Sequence, residues 1–370
     1  RLSNVGSDSG AGDPDLDEFN FVKVRFFRQT NATPESLDRH ALYLATDLLT
    51  VNGVTNGVIE VPNGMQAVPF LETDIYDFEA EYASQAQLDS FFPDGSYEIR
   101  FDTINDGTRT FTFSLTGSYP NAPTVTNLAA AQGIDPASGF VLGWNAFAGA
   151  GMEDEIFLEI TLETGGDGEN EIFYSDLPAT ATSVLIPAYR LAPGRTYRAL
   201  LVFANVTGTD TTTYPGVDGK AGFYTATVVE LRTTGEQIQP RLELTRLGPS
   251  DLRLTVIAVR DLDYTVDSRF SLFDMWQPIQ FMRVNGPEGS FTGTNSFILP
   301  NAFQAQSRFF QAREDSESGH RGGNWQPRRT RMRLGAGPRE LLPAGFGLRS
   351  PGFLRVSPVR ISAFRFNTPG

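Results

Sequence analysis

The sequence predicts an all-β protein made of three consecutive β-sandwich modules. Three observations predict this class. Phenylalanine, glycine and proline are abundant, at 29, 36 and 23 of 370 residues; long alanine- and leucine-rich runs of helical period are missing; and apolar and polar residues alternate over short stretches bounded by turn residues. Alternation of period two gives each strand one apolar face, as in sheets that cover a core. A chain of this length has room for two or three such domains.

The first 18 residues predict an acidic linker, because they are rich in Ser, Gly and Asp and offer little to bury. Asp13, Asp15 and Asp17 stand at alternate positions, as carboxylates do in calcium-binding loops. The glycine and the bidentate glutamate of such loops are missing. A solvated linker and a weak calcium site are therefore the two alternatives, and no other cofactor is expected.

Residues 19–119 predict an N-terminal β-sandwich. Apolar residues alternate in the strands that we expect at 21–27, 41–51, 58–61, 76–82, 97–101 and 111–115. Residues 85–92 are the best candidate for a helical turn, which Pro93-Asp-Gly95 ends. Asn105-Asp-Gly107 is a hairpin turn signal between two of the strands.

Three carboxylates, Asp77, Glu79 and Glu81, share one face of the strand at 76–82. Glycoside hydrolases work with paired carboxylates, so an enzymatic interpretation has to be considered. A catalytic pair normally comes from different strands across a cleft, whereas side chains two residues apart on one strand serve solubility. We therefore expect an exposed, non-catalytic row.

The middle of the chain contains a tight turn that leads into a buried strand. In Leu191-Ala-Pro-Gly-Arg-Thr-Tyr197, Pro193 fixes its own φ and Gly194 accepts the positive φ of a type II turn. The ring of Tyr197 then enters the core, and its hydroxyl returns to the backbone upstream, as in the tyrosine corner of immunoglobulin-like sandwiches.

This pattern, with Trp144 in Phe140-Val-Leu-Gly-Trp144, resembles the fibronectin type III signature over residues 120–236, beyond a proline linker at 119–123. The resemblance implies an immunoglobulin-like sandwich and a spacer or binding module. The fold-defining residues are Trp144, Leu191, Pro193, Gly194 and Tyr197. The predicted loop from 207 to 222 is longer than the family usually carries. No Arg-Gly-Asp occurs, so no integrin-type residues carry over.

Three aromatic residues lie in or beside this long loop: Tyr214, Phe223 and Tyr224. On an exposed loop they could stack on sugar rings, and they are the candidate ligand-stacking residues. The alternative is that they fold back over the edge of the core. No catalytic, cofactor-binding or metal-binding residue is predicted anywhere in the chain.

Residues 237–314 predict a small C-terminal β-module with six strands. Tyr264 with Val266, Asp274-Met-Trp-Gln-Pro278 and Arg308-Phe-Phe-Gln-Ala-Arg313 resemble a small β-module found repeatedly near the C-termini of secreted bacterial proteins. Residues 315–370 change character: they are rich in Arg, Gly and Pro, and we expect a disordered tail. Its alternatives are docking on an anionic surface, folding back onto the acidic body, and no selected function.

The charge is unevenly distributed. Residues 315–370 carry ten arginines against Asp315, Glu317 and Glu340, a local +7; since the whole chain is −14, residues 1–314 carry −21. An acidic body argues against nucleic-acid binding.

The chain lacks cysteine, which excludes disulfides and thiolate chemistry. We find no transmembrane run and no visible signal peptide. Because the sequence opens on Arg1, we expect a processed or truncated start, of which a removed signal peptide is one explanation.

Motifs for phosphate binding, zinc proteases and serine hydrolases are absent, and His40 and His320 are the only histidines. We therefore expect a non-catalytic, secreted or cell-surface bacterial protein for adhesion, spacing or matrix contact, with polysaccharide or other surface proteins as partners. The alternative is a carbohydrate-binding accessory region of a polysaccharide-processing protein. The ligand and the oligomeric state are left open.

Overall fold

A computed structural model describes residues 15–48, 50, 53–72, 75–163, 169–214, 217–248, 250–270, 273–302 and 309–314. Within these ranges the protein is all-β, as the sequence predicts, with twenty strands and two short helices. Neither helix is long and apolar enough to cross a membrane, a finding that concerns the described residues alone. The predicted tail lies outside the described residues.

The first segment contains eight strands and a helix, α1 (Gln85–Phe91). Ser84 caps this helix by accepting a hydrogen bond from the Gln87 N–H, and Leu88 is its buried residue. The strands are β1 (Leu16–Gln29), β2 (Glu35–Leu48), β3 (Val54–Glu60), β4 (Gln66–Ala67), β5 (Phe70–Glu72), β6 (Ile75–Tyr82), β7 (Gly95–Thr103) and β8 (Gly107–Leu115).

The middle segment contains the short helix α2 (Leu128–Ala131) and six strands. Two of these strands pair as an antiparallel hairpin whose turn lies outside the described residues. The strands are β9 (Phe140–Gly143), β10 (Glu155–Glu163), β11 (Glu169–Pro178), β12 (Ser183–Ile186), β13 (Thr196–Asp210) and β14 (Asp218–Arg232).

The C-terminal segment contains two three-stranded sheets, in the orders β15-β16-β19 and β18-β17-β20. Its six strands match the number predicted from sequence. They are β15 (Arg241–Leu247), β16 (Asp251–Val259), β17 (Leu262–Arg269), β18 (Gln277–Val284), β19 (Thr292–Leu299) and β20 (Phe309–Glu314).

One eight-stranded sheet, in the order β11-β10-β13-β14-β1-β2-β6-β5, runs through the first two segments. Its centre is a parallel pair: β1 lies beside β14 in unbroken register from Glu18↔Asp218 to Gln29↔Val229. The sequence treats residues 19–119 and 120–236 as consecutive sandwiches, yet this sheet crosses the boundary between them. The two segments share a backbone hydrogen-bond ladder as well as a linker.

One face of this sheet carries two cores. Beside β1, β2 and β6 it packs on the four-stranded sheet β4-β3-β7-β8, and Phe21 and Phe101 are fully buried between the layers. Beside β10, β13 and β14 it packs on the two-stranded sheet β12-β9, around Trp144 and Tyr197. This second core continues into the C-terminal segment, where Tyr264 belongs to the same cluster.

The opposite side of the eight-stranded sheet carries a third apolar cluster, which we call the outer face. Every member comes from β1, β2, β10, β13 or β14, and none is more than 8% exposed. The outer face consists of Val22, Val24, Phe26, Ala41, Tyr43, Phe157, Leu200, Val202, Ala204, Tyr224 and Ala226.

Three buried tyrosines, one in each segment, tie their hydroxyls to a preceding turn. The Tyr197 hydroxyl accepts a hydrogen bond from the Ala192 N–H at 2.7 Å, five residues upstream, and Gly194 has the predicted positive φ of 68°. Tyr264 donates to the Val259 carbonyl at 3.2 Å and Tyr97 to the Pro93 carbonyl at 2.6 Å. The sequence reveals only the corner at Tyr197, because that turn alone carries the complete fibronectin-like pattern.

Two segments predicted as loop or linker are partly strand. β1 begins at Leu16, inside the predicted linker 1–18, and the carboxylate of buried Asp15 accepts a hydrogen bond from the Asn105 N–H at 2.8 Å. The loop predicted at 207–222 is shorter, since β13 continues to Asp210 and β14 starts at Asp218. Thr207 and Thr209 suit an extended backbone, and the pairing of β13 with β14 stabilises it.

The proline linker at 119–123 is attached to β1. Gln29 forms two hydrogen bonds with Val125, donating to its carbonyl at 2.9 Å and accepting from its N–H at 2.7 Å. Arg25 donates to the Pro120 carbonyl. These bonds hold residues 120–125 against the shared sheet.

Candidate binding cleft

A cavity of about 250 Å³ lies where the middle segment meets the C-terminal segment. This volume is slightly below the range of roughly 300–1,000 Å³ that is usual for small-molecule sites. The wall from the middle segment is built by β10, β11, the loop after β12 and the start of β13; the other wall is built by the β16–β17 turn, β18 and the loop before β19. The lining residues are Leu162, Glu171, Ile172, Tyr189, Arg190, Ala192, Tyr197, Val259, Arg260, Asp261, Leu262, Arg283 and Phe291.

Two residues of the cleft have a positive φ, a backbone conformation that residues other than glycine rarely adopt. Tyr189 has φ +63° and Asp261 has φ +62°. The Tyr189 N–H donates to the Pro136 carbonyl at 2.8 Å, and the Asp261 N–H donates to the Val284 carbonyl at 2.6 Å. Non-glycine residues held in this region concentrate at ligand sites, so their presence on both walls points to the cleft as the candidate site.

Aromatic rings close one side of the cleft. The ring of Tyr189 lies 4.8 Å from that of Phe291, centroid to centroid, at an interplanar angle of 49°. The Phe291 carbonyl accepts a hydrogen bond from the Arg260 N–H at 3.0 Å, which holds the loop against the β16–β17 turn. The two rings come from different segments and bridge the walls.

Three arginines give the cleft its charge. Arg260 is paired with its neighbour Asp261 at 3.4 Å, and Arg283 with Asp263 at 3.2 Å. Arg190 is exposed and has no ion-pair partner among the described residues. It is therefore the guanidinium that can accept an anionic or polyhydroxyl group without breaking a described ion pair.

At the floor of the cleft, Tyr197 serves structure and is poorly suited to proton transfer. Burial raises the pKa of Tyr197 to about 12, so its phenol stays protonated at neutral pH. Its hydroxyl is engaged with Ala192 in the corner described above. The cleft can therefore bind a small group through rings and a guanidinium, and we find no paired acid and base in its described lining.

A bidentate ion pair joins the middle segment to the C-terminal segment. The Arg195 guanidinium donates from Nη1 to Glu314 Oε1 at 2.9 Å and from Nη2 to Oε2 at 2.5 Å. Both side chains are largely buried, with 10% and 18% of their side-chain area exposed. The pair joins the start of β13 to the end of β20.

The predicted ligand-stacking residues lie elsewhere, inside the protein. Tyr214, Phe223 and Tyr224 are at most 2% exposed. Tyr214 packs on Phe111 at 5.2 Å, Phe223 belongs to the first core, and Tyr224 lies on the outer face 6.0 Å from Phe157. As neighbours on a strand, Phe223 and Tyr224 point to opposite sides of the sheet. Correcting the hypothesis of an exposed platform, the structure places these rings in cores.

Three of the five residues that the resemblance names as fold-defining lie in one core. Trp144, Leu191 and Tyr197 are at most 3% exposed and belong to one core. The Trp144 indole N–H donates to the Ala181 carbonyl at 3.0 Å. A Cβ added to Gly194 would lie 2.6 Å from the Gln237 backbone nitrogen, so close packing as well as φ requires glycine there. Pro193 precedes it in the turn.

The acidic row is less exposed than predicted, because β6 lies inside the sheet between β2 and β5. Glu79 and Glu81 retain 33% and 35% of their side-chain exposure, and Arg39 is paired with both. Burial, followed by the hydrogen bond and the charge of Glu81, raises the pKa of Glu79 to about 7. Both carboxylates lie on the same strand, β6.

His40 and the aspartates of the linker have structural surroundings. The ring of His40 lies edge-on to Tyr119 at 6.5 Å, and burial lowers its pKa. Asp15 bonds to Asn105, whereas Asp13 lies outside the described residues and the Asp17 side chain is not described. Among the described residues, no group of three or more His, Asp or Glu side chains is placed to hold a metal ion.

The cleft was missed from the sequence because its lining residues are separated by more than a hundred positions. A partial signal exists: Tyr264 follows a turn five residues after Val259, as Tyr197 follows Ala192. Two tyrosine corners indicate two β-sandwiches. The alternation of apolar and polar residues does not show that the ends of these sandwiches face each other.

Comparison with known proteins leaves the family open. No family model matches the chain, and no curated protein matches it. Similar solved structures include the FN1–FN3 domains of chicken CNTN1, at 10% identity and a TM-score of 0.20, covering 74% of this chain and 88% of that one.

Two structures of alpha-2-macroglobulin from Escherichia coli are also similar. The trypsin-activated form has 12% identity and a TM-score of 0.19, covering 78% of this chain and 22% of that one. The form activated by porcine elastase has 10% identity and a TM-score of 0.20, covering 77% and 28%. The chain thus spans less than a third of either macroglobulin chain. TM-scores this low carry no argument about function.

Proposed function

We propose that this protein is a non-catalytic, secreted or cell-surface β-scaffold that holds interaction surfaces at fixed separations, for adhesion, spacing or matrix contact. The observation that carries the proposal is the parallel pairing of β1 with β14 over twelve residue pairs. Consecutive domains normally join through a linker and a modest polar interface, which permits relative motion. Here a continuous sheet replaces that hinge.

The junction with the C-terminal segment supports the same proposal. The middle core extends into that segment without a break, and the Arg195–Glu314 pair closes its edge. A scaffold of this kind resists bending at both junctions. Stiffness is useful to a spacer, which must hold a binding surface at a constant distance from its anchor.

Spin labels measure this stiffness directly, since the chain contains no cysteine. We expect narrow, single-peaked distance distributions between exposed sites of different segments: Ser96→Cys with Ser183→Cys, and Ser183→Cys with Thr294→Cys. The matched control is Ser96→Cys with Thr112→Cys, within one sheet. A broad distribution across either junction, beside a narrow control, contradicts the scaffold.

The location is tested by adding protease to intact source cells. Cleavage of the chain without lysis supports a role outside the cell. A chain that is cut only after lysis contradicts it.

The second candidate function is carbohydrate binding at the cleft, favoured by the Tyr189 and Phe291 rings beside Arg190. Rings and guanidinium groups suit a small acidic sugar. We expect saturable binding on a panel of neutral and uronic-acid glycans, lost in Tyr189→Asn and Arg190→Gln. Asparagine is chosen because it tolerates positive φ. Leu185→Ala, at an exposed residue of β12 that does not line the cleft, is the control. Binding that survives both cleft variants argues against this candidate.

A further inference from the structure

The outer face is an apolar surface large enough to need a second layer. Its central residues Phe26, Phe157 and Tyr224 are 0% exposed. All members of the cluster belong to strands of the same sheet. Side chains on one side of a sheet stand nearly parallel and do not enclose each other, so burial this complete requires material from elsewhere.

Composition identifies which part of the chain suits this role. Outside the described ranges, only residues 1–14 and 315–370 are longer than six residues. Residues 1–14 contain Leu2 and Val5 as their large apolar side chains, too few to cover five strands. Residues 315–370 contain the stretch Phe353-Leu-Arg-Val-Ser-Pro-Val-Arg-Ile-Ser-Ala-Phe-Arg-Phe366.

This stretch has the pattern of a strand that is apolar on one side. Val359, Ile361 and Ala363 alternate with Arg360 and Ser362. A run of about six extended residues spans roughly 20 Å, comparable to the width of five strands at about 4.8 Å spacing. The 38 residues between Glu314 and Phe353 impose no limit on reach, since an extended chain advances about 3.3 Å per residue.

The charge of the C-terminal stretch is opposite to that of the border of the outer face. Residues 315–370 carry +7 and residues 1–314 carry −21, and one border of the outer face is the row Asp77, Glu79 and Glu81 on β6. Arg39 already shows how a guanidinium sits here: it pairs with Glu81 and lies 4.4 Å from the centroid of the Phe26 ring. Arginines spaced along an apolar strand match a surface that is apolar in the middle and acidic at its rim.

We propose that residues 353–366 bind the outer face and form its second layer, with Val359, Ile361 and Ala363 directed at the sheet and Arg360 directed away from it, towards acidic side chains at the rim. The basic segment is then an intramolecular cover for the scaffold. Its apolar residues bury the face that would otherwise present a broad sticky surface.

Thiol labelling of the full chain tests the proposal. Ala226→Cys places a single thiol on the outer face, Ala199→Cys places one on the opposite face of the sheet, and Ser183→Cys is exposed. In each chain, the rate of reaction with a small thiol reagent is measured with and without Val359→Asn, Ile361→Asn and Ala363→Asn. The charge-neutral control is Ser357→Asn, Ser362→Asn and Thr368→Asn.

We expect the apolar tail substitutions to speed labelling at Ala226→Cys at least tenfold, with less than twofold change for the control and at Ala199→Cys. An unchanged rate at Ala226→Cys overturns the proposal. Equal acceleration at Ala199→Cys also overturns it, because the whole fold rather than the cover has then been lost. Protection that falls on dilution overturns it too, since a second copy is then the occupant.

A crosslink gives an independent measurement in which the tail carries a single substitution. Ala226→Cys combined with Ile361→Cys is treated with a bismaleimide that spans about 10 Å, roughly the spacing of packed β-layers. An intramolecular product of monomer mass supports the proposal. No product, or only a product of dimer mass, contradicts it. Ala226→Cys with Ser318→Cys is the matched pair that is expected to react less.

Discussion

Single buried hydroxyl groups hold the turns at which strands enter each core. The Tyr197 hydroxyl satisfies the Ala192 N–H in an environment that excludes water. Such a donor has no alternative partner if the hydroxyl is removed. The hydroxyl therefore stabilises the fold mainly because it prevents a buried N–H from being left without a hydrogen bond. Tyr97 and Tyr264 have the same role in their own segments, where they satisfy carbonyls.

Tyr197→Phe is expected to destabilise the protein by about 2 kcal/mol, the cost of leaving the buried Ala192 N–H without a partner. The measurement is urea unfolding followed by tryptophan fluorescence. Tyr189→Phe is the control, because its hydroxyl makes no hydrogen bond among the described residues, and a change below about 0.5 kcal/mol is expected. Similar losses in both variants would show that the corner bond contributes little.

Glu79 makes stability depend on pH. Its pKa is raised from 4.5 to about 7, so the folded chain holds a proton that the unfolded chain has already released. The free energy of unfolding that this bound proton contributes is fully present below pH 4.5, decreases as the pH rises, and is absent above about pH 7. Partial exposure to solvent reduces its size.

Glu79→Gln is expected to gain about 1–2 kcal/mol over the parent at pH 8 and almost nothing at pH 4, after allowance for screening of this half-exposed group. Urea unfolding at both pH values gives the difference. Glu98→Gln, at an exposed position of β7, serves for comparison. A Glu79→Gln difference that does not vary with pH would refute the assignment.

Helix α1 is fastened to the sheet through a buried charge. Lys23, on β1, is 0% exposed, and its Nζ lies 2.9 Å from Asp89 of the helix and 2.7 Å from Asp94 of the following turn. Both aspartates remain partly exposed, so they retain hydration that Lys23 has lost. The cost of separation therefore falls mainly on the lysine.

Asp89→Asn with Asp94→Asn is expected to cost about 3 kcal/mol, because a buried ammonium is left without a counter-charge. Lys23→Met removes the charge and keeps much of the volume, so we expect a loss below about 1.5 kcal/mol. Urea unfolding separates the two. Should Lys23→Met be the more damaging change, the ion pair itself would be the stabilising element.

The alternation of apolar and polar residues predicts some properties of the strands and not others. It predicts β6, β7 and β8 close to their observed positions, because each has one buried face. It also predicts an exposed acidic row on β6, which is half-buried since both edges of that strand are paired. The alternation of residues along a strand does not show which strands lie beside it.

For the molecule as a whole, the shared sheet makes the first two segments interdependent. β14 has β13 on one edge and β1 on the other. A chain without residues 15–119 leaves the second edge open, with a row of backbone groups unpaired and available to other chains. The predicted linker is thus a poor place to divide the protein.

Residues 120–314 alone are expected to lose stability, on the order of 5 kcal/mol relative to residues 15–314, or to associate through the exposed edge of β14. Urea unfolding and light scattering at several concentrations measure the two outcomes. The tail is absent from both chains, so it does not enter the comparison. A monomeric 120–314 fragment of equal stability would show that the segments fold independently.

The sequence alone determines the β class, the positions of strands such as β6, β7 and β8, and the corner at Tyr197, since these depend on neighbours within a few residues. Tertiary structure alone decides that β1 lies beside β14, that Tyr214, Phe223 and Tyr224 are buried, and that the cleft exists. These features join residues as far apart as Arg25 and Thr225, whose side chains meet across 200 positions. Local alternation shows which face of a strand is apolar, whereas the pairing of strand edges depends on backbone groups that every residue shares.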